Sequence, residues 1–508
     1  LISSTPQKAV DPKNTLDVLK RELRTVVDIY GDFGNLSEHN VEVDSEFVGL
    51  SGPTSLDPKE HVIATLPDPI SAESQPPPAP EDHITDAVIS AELGRMVKNP
   101  LTAYQDVYDK YMELSHPRPC RVQYDLLVQV VNHLSVRDKE RKDPGFASQY
   151  LTIINDMLLS GIEVKRFMWD TAMHYIANDA AFITDHEVDS ILALWRKMEH
   201  STNTRANHIT ISIMYLSAVK AGQYALADRM WRELQSRQLK LDRVTRVIQI
   251  YAFGHRKDSR RVRKCFLDLV DAGELVDIVV INCVMSALIN AGEGAAAEEV
   301  FSRIKTLYRS KFNSPSYPNN WREARRVRKL MVDGLKMGEL SRREAQELSP
   351  IAPNETTFRI LIKYHCSIRK DFNRAMKLLD EMAKVDVQPS IPIFNLLFNN
   401  FTQPYVGGSS GGTADDLNRL WARFQEVVTQ DPKHALQHKA MDDRLALTII
   451  EAFARRVSKE AASDVWEMIS KQWYPTDDTI IKVGEILQKT LQVASRKTLK
   501  DEITLSFR

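Results

Sequence analysis

The sequence predicts an all-α protein, a solenoid of helix-turn-helix repeats behind an irregular N-terminal arm. Three observations carry this. From about residue 82 onward apolar positions recur at helical spacing in stretches of 10 to 16 residues, without the alternation of a strand. A pattern near 35 residues long recurs. And 508 residues exceed what one hydrophobic core organises, whereas a repeat array grows without a single core.

Residues 1–82 hold one predicted helix, Thr15 to Tyr30, then turn-rich sequence and the run Gln75-Pro76-Pro77-Pro78-Ala79-Pro80, which favours extended geometry. This segment is acidic: residues 1–85 carry 6 Lys+Arg against 15 Asp+Glu, whereas residues 86–508 carry 61 against 53. A mildly basic body suits a polyanionic partner, although a solvated helical surface shows the same excess. The array is expected over 83–476 as about nine hairpins. Its first units are proposed from Asp86, Arg121 and Arg166. Asn207, Asp242 and Asp277 then stand 35 residues apart, each ahead of a similar helix (His208 to Met214, Arg243 to Gln249, Ile278 to Val284). Pro353-Asn354 and Pro389-Ser390, 36 apart, bracket the next unit; others open at Ile391 and near Asp443, and a capping helix and tail are expected over 477–508. An insertion is expected at 311–352 and a Gly-rich loop at 407–412.

Composition excludes several classes. With 43% hydrophobic and 27% charged residues the chain is not globally disordered, and no apolar run reaches the ~18–20 residues of a membrane span. Cys120, Cys265, Cys283 and Cys366 form no C-x-x-C pair, so neither a disulfide framework nor a thiolate zinc site is expected. The chain begins at Leu1, which leads us to expect an upstream segment that carried any targeting signal.

Asp277 to Gly292, with Ala297-Glu298-Glu299-Val300-Phe301, resembles the pentatricopeptide repeat family's pattern of an acid, aliphatics, Asn, and a helix closing on Ala-Gly; Thr356 to Pro389 is similar. The tetratricopeptide repeat, with a 34-residue period, fits less well because its Trp-x-x-Leu-Gly signature is not visible. The resemblance implies a right-handed α-solenoid that binds single-stranded RNA, mRNA or rRNA, one base per repeat. It implies base-reading pairs Ser212 with Asp242, Val247 with Asp277, Asn282 with Asn354, Arg359 with Ser390, and Asn395 with an acid near Asp442. Base-packing positions would be Ile209, Val244, Val279, Thr356 and Pro392. Ser212 with Asp242 would favour a purine and the Asn pairs a pyrimidine, while Val247 and Arg359 depart from the pattern. The alternative for each is plain: Ser212, Asn282 and Asn395 as exposed helix residues, Asp242 and Asp277 as helix caps.

Arg256, Lys257, Arg260, Arg261, Arg263 and Lys264 lie close enough in sequence to form a cationic strip for phosphates, or a solvated face. Trp321 to Lys329 reads as a helix basic on more than one side that contacts RNA or a partner. Gly408 to Gly412 matches G-x-S-x-G but reads as a flexible loop, and His434, His438 and Asp442 read as surface groups without a third convincing metal ligand. No cofactor, metal, small-molecule substrate or catalytic activity is expected. The resemblance implies a mitochondrial matrix protein acting in mRNA stability, processing or translation. The alternative is a structural or assembly subunit of a large ribonucleoprotein such as the mitochondrial ribosome small subunit, touching ribosomal proteins; the acidic arm and basic insertion favour it.

Overall fold

The structure, a computed structural model, describes residues 23–24, 26–27, 80–99, 102–135, 146–179, 183–200, 202, 204–310, 326–327, 330–331, 334–335, 337–338, 340–349, 351–385, 387–402, 412–430, 443–472, 476 and 478–487. Among the described residues every regular element is a helix, and none is long and apolar enough to cross a membrane. The chain forms two compact units, residues 35–248, and residues 249–508 together with 1–34.

The first unit contains α1 (Pro80–Met96), α2 (Tyr104–Met112), a 3-10 turn (Arg118–Arg121), α3 (Tyr124–Ser135), α4 (Phe146–Leu159), α5 (Arg166–Asp179), α6 (Asp185–His200), α7 (His208–Lys220) and α8 (Tyr224–Ser236). Helix α9 (Arg243–His255) begins within it. Consecutive helices pack as hairpins, α5 on α6 and α7 on α8, and first helices also meet, α5 against α7. This is the stacking of a solenoid, in which each hairpin covers the apolar face of the next. Trp169, Tyr111 and Tyr150 fill its interior.

The second unit contains α10 (Ser259–Asp271), α11 (Ile278–Asn290), α12 (Gly294–Ser310), α13 (Arg342–Leu348) and α14 (Glu355–Lys363), which runs on as a π-helical stretch, Tyr364–Arg369. It continues with α15 (Phe372–Lys384), α16 (Ile391–Thr402), α17 (Ala414–Gln430), α18 (Asp443–Arg456), α19 (Lys459–Gln472) and a helix over 478–487. First helices again stack in sequence, α11 on α14, α14 on α16, α16 on α18. Helix α15 shows why: Phe372, Ala375, Leu378, Leu379 and Met382 fall on one helical stripe and are buried, while Asp371 caps its start by accepting from the Arg374 N–H at 3.0 Å. Edge-to-face pairs of Phe301 with Phe358 (5.4 Å) and Phe372 with Phe401 (4.7 Å) tie neighbouring hairpins.

The turn inside three consecutive hairpins obeys the 35-residue period. Gly222, Lys257 and Gly292 each adopt positive φ (76°, 59° and 88°), and the N–H of the residue after each reaches back to a carbonyl five residues earlier. This left-handed closure satisfies carbonyls orphaned at the helix end. Glycine has another use at 254: a Cβ there would lie 2.5 Å from Ala287 Cα, so its absence lets the C-terminal part of α9 approach α11.

Several expectations fall on residues the structure leaves undescribed: most of the arm and of Trp321 to Lys329, residues 407–411, and His434, His438 and Asp442. The described residues of the arm, 23–24, 26–27 and 80–82, are helical, with Leu23, Val26 and Val27 buried and Arg24 paired with Asp271.

Candidate nucleic-acid interface

The first helices start the same way. Asn207 caps α7, its Oδ1 accepting from the N–H groups of Ile209 (2.9 Å) and Thr210 (3.0 Å), and the Thr210 hydroxyl accepts from the Asn207 N–H at 3.4 Å. The Thr210 hydroxyl then donates to Asp170 Oδ1 on α5 at 2.6 Å. Burial pushes the Asp170 carboxyl above the usual carboxylate range, and the Thr210 bond opposes that shift.

One hairpin later the arrangement recurs. Asp242 accepts from the Thr245 N–H (2.8 Å) and hydroxyl (2.7 Å), and Ser212 Oγ lies 2.8 Å from Thr245 Oγ1. Thr245 therefore joins the expected pair Ser212 and Asp242, and His208 Nε2 stands 3.6 Å from the other Asp242 oxygen. Ser212 is only 4% exposed. It is not the exposed helix residue of the alternative reading.

In the second unit Asp277 caps α11 through the N–H groups of Val279 (3.0 Å) and Val280 (3.1 Å), and Val280 occupies the place of the threonine. The next pair is joined across 72 residues: Asn282 Nδ2 donates to Asn354 Oδ1 at 3.1 Å. Thr357 donates to Asn282 Oδ1 at 2.8 Å, lies 3.0 Å from Asn354 Oδ1, and accepts from the Asn354 N–H at 3.1 Å. The insertion thus leaves this pair intact. Asn282 and Asp277 are buried, 6% and 7% exposed.

The remaining pairs differ. Ser390 donates to Glu355 Oε1 at 2.6 Å and Arg359 Nε lies 3.9 Å from the same oxygen, so they meet through Glu355. Asn395 is half-buried, and its Oδ1 is buried without a hydrogen-bond partner among the described residues. The acid expected near Asp442 is outside those residues. Val247, half-buried, lies in the first unit and Asp277 in the second.

Ile209, Val244 and Val279, the second residues of their helices, are apolar yet 46%, 57% and 38% exposed. Each precedes the polar or aliphatic residue Ser212, Val247 or Asn282 by three positions, which sets both on one side of the helix. Thr356 is half-buried and Pro392 exposed.

The cationic strip needs correction. Arg260 and Arg261 are exposed, with Arg261 over the Phe253 ring at 5.3 Å and 3.4 Å from Asp258. Arg263 turns inward, 6% exposed, and is paired bidentately with Glu293. It lies next to buried Val262 and three residues before buried Phe266, so the helix rotates it off the exposed side. Its guanidinium holds the Glu293 carboxyl below the usual range.

Residue-by-residue reading missed Asp170, Thr210, Thr245, Glu355 and Thr357. Three were accessible: Asn207-x-x-Thr210, Asp242-x-x-Thr245 and Asn354-x-x-Thr357 share the spacing of a capping box.

The geometry defines a helical-hairpin repeat protein in which α7, α9 and α11 each set an exposed aliphatic residue beside a position that is polar in α7 and α11. No family model matches the chain, and no curated protein matches it. Among solved structures it is similar to the pentatricopeptide repeat protein PPR10 from maize, at 16% identity and a TM-score of 0.39 over 83% of this chain and 54% of that one. It is also similar to PPR10 in complex with an 18-nt psaJ RNA element, at 15% identity and a TM-score of 0.30 over 84% and 63%. The chain thus spans between about half and two thirds of the structures it matches.

Proposed function

We propose that this is a pentatricopeptide-type protein that binds single-stranded RNA along the first helices of its hairpins, and that it acts in mitochondria on mRNA stability, processing or translation. The observation that carries RNA binding is the recurrence of an exposed aliphatic at Ile209, Val244 and Val279, beside Ser212 and Asn282 in two of the three hairpins. Exposed aliphatic surface offers a face to an unstacked base, and a fixed polar group beside it meets the base edge. Fluorescence anisotropy with single-stranded oligoribonucleotides at low salt tests this: saturable binding that duplex RNA does not match is expected, and its absence would end the reading. The cellular setting is tested by fractionation and by crosslinking and sequencing of bound RNA, which should return one or a few mitochondrial transcripts.

The burial of Ser212, Asn282 and Asp277 favours a second reading, a structural subunit of a ribonucleoprotein such as the mitochondrial ribosome small subunit, in which these hydrogen bonds stiffen a scaffold. Co-sedimentation with ribosomal subunits after nuclease treatment, with crosslinks spread over rRNA, is the outcome that selects it.

A further inference from the structure

The hydrogen atoms in the two threonine-linked networks can be assigned one by one. Thr245 has a single hydroxyl hydrogen, and it goes to the Asp242 carboxylate, which only accepts. Ser212 must therefore donate its own hydrogen to Thr245 Oγ1. What Ser212 Oγ retains is accepting capacity alone. In the other network the Asn354 amide is oriented by its own helix, because Oδ1 accepts the Thr357 N–H at 3.1 Å. Asn282 must then present Nδ2 to that oxygen, and the Thr357 hydroxyl, at 2.8 Å, holds Asn282 Oδ1 on the opposite side. One N–H of Asn282 Nδ2 is left over with no further partner among the described residues, so Asn282 retains a donor.

We propose that Thr245 and Thr357 are positioning residues that set base specificity, by fixing Ser212 as a hydrogen-bond acceptor and Asn282 as a donor toward the base that each hairpin receives. This deepens, and rests on, the RNA-binding reading. An acceptor-only Ser212 favours a base whose edge carries a ring N–H, guanine or uracil, over one with a bare ring nitrogen. A donor at Asn282 favours an edge with a bare ring nitrogen, adenine or cytosine, over one whose ring nitrogen carries a hydrogen. Without the Thr357 hydroxyl Asn282 Nδ2 stays on Asn354 Oδ1, which the residue-357 N–H still orients, but Asn282 Oδ1 loses its donor and becomes free to accept from a base, so the side chain offers donor and acceptor alike. Loss of the Thr245 hydroxyl frees the Ser212 hydrogen, which then donates or accepts. In the third network Asp170 Oδ1 accepts from the Thr210 hydroxyl.

The test uses the full chain, selection from a randomised single-stranded RNA pool, and anisotropy on oligonucleotides that differ at one position. Thr245→Val and Thr357→Val remove the hydroxyl and keep the branched shape; Thr245→Ser and Thr357→Ser restore it. Thermal unfolding and helical circular dichroism check that each variant is folded. The expected result is that wild type discriminates at one position per threonine by about five- to tenfold, that each Val variant drops to within about twofold of no preference, and that each Ser variant recovers it. Wild-type discrimination that survives both Val variants overturns the proposal. So does equal binding of all bases by wild type, which leaves the RNA-binding reading standing. Failure of wild type to bind any single strand at low salt removes both.

Discussion

Gln346 holds the backbone of Val276 from both sides: the Val276 N–H donates to Gln346 Oε1 at 2.8 Å and Gln346 Nε2 donates to the Val276 carbonyl at 2.6 Å. The side chain acts as an extra strand for one buried residue. Arg342, one turn earlier on α13, donates to the carbonyls of Ala272 (3.0 Å) and Gly273 (2.7 Å). The insertion therefore folds back to close the turn between α10 and α11. Gln346→Leu keeps the volume but strands the buried Val276 N–H, at about 1–3 kcal/mol, and leaves the Val276 carbonyl only the long 3.4 Å bond from the Ser349 hydroxyl. We expect the second unit to lose about 2–4 kcal/mol in denaturant unfolding, and exchange of the Val276 amide hydrogen to accelerate; unchanged exchange would show that Gln346 is ornamental.

Lys257 takes the left-handed conformation that Gly222 and Gly292 take at the equivalent turns, 35 residues to either side. A non-glycine residue is strained there at roughly 1 kcal/mol. Lys257→Gly should raise stability by about 0.5–1 kcal/mol, because relief of that strain outweighs the added freedom of the unfolded chain. Lys257→Ala should give no gain, which separates backbone strain from loss of the lysine charge. Both are measured by thermal unfolding.

Glu199 binds Arg237 at 2.5 and 3.1 Å and accepts the Ala206 N–H at 3.0 Å, tying the end of α8 to the loop that leads into α7. The Arg237 hydrogen bond foremost, against the opposing effect of burial, holds the Glu199 carboxyl down at about 2, against an ordinary value of 4.5. A carboxyl depressed in the folded state contributes stability that is complete above its unfolded value and is lost as pH falls toward the folded one. The window is therefore pH 4.5 to about 2. With both groups mostly covered, about 1–2 kcal/mol is at stake. Glu199→Gln should lower the midpoint at pH 7 and flatten its decline between pH 5 and 3; a decline as steep as wild type would assign the acid sensitivity to other carboxyls.

Much of this was legible in the sequence, and the parts that were not share a cause. The spacing of Asn207, Asp242 and Asp277 located three helix starts because an N-cap is a local event, settled by a side chain and the three residues after it. Whether such a residue also faces a base depends on the next hairpin, as when Thr245 reaches Ser212 across 33 residues. Gln346 on Val276, 70 residues apart, leaves no periodic trace at all. Arg260, Arg261 and Arg263 look alike as a basic run, yet about 100° of rotation per residue turns Arg263 into the interior and leaves the others outside. Composition sees a charge cluster; only the helix face, fixed by Val262 and Phe266, divides it.

The exposed aliphatics and the exposed arginines should be separable by their dependence on salt. Ile209→Ala, Val244→Ala and Val279→Ala remove apolar surface that is only partly covered, so stability should stay within about 1 kcal/mol of wild type. If these side chains pack on bases, each truncation weakens binding by about 1 kcal/mol, or roughly fivefold in Kd, at every salt concentration, since apolar packing releases no counterion. Arg260→Gln acts on the other variable: a guanidinium withdrawn from a phosphate reduces the slope of log K against log salt by about one, uniformly across base sequences. Arg263→Gln should instead leave the slope alone and lower stability, because its charge is spent on Glu293 in the turn of the next hairpin. A titration at several salt concentrations therefore assigns each residue to base packing, phosphate binding or scaffold, and an Ile209 variant that altered the slope would contradict its assignment to packing.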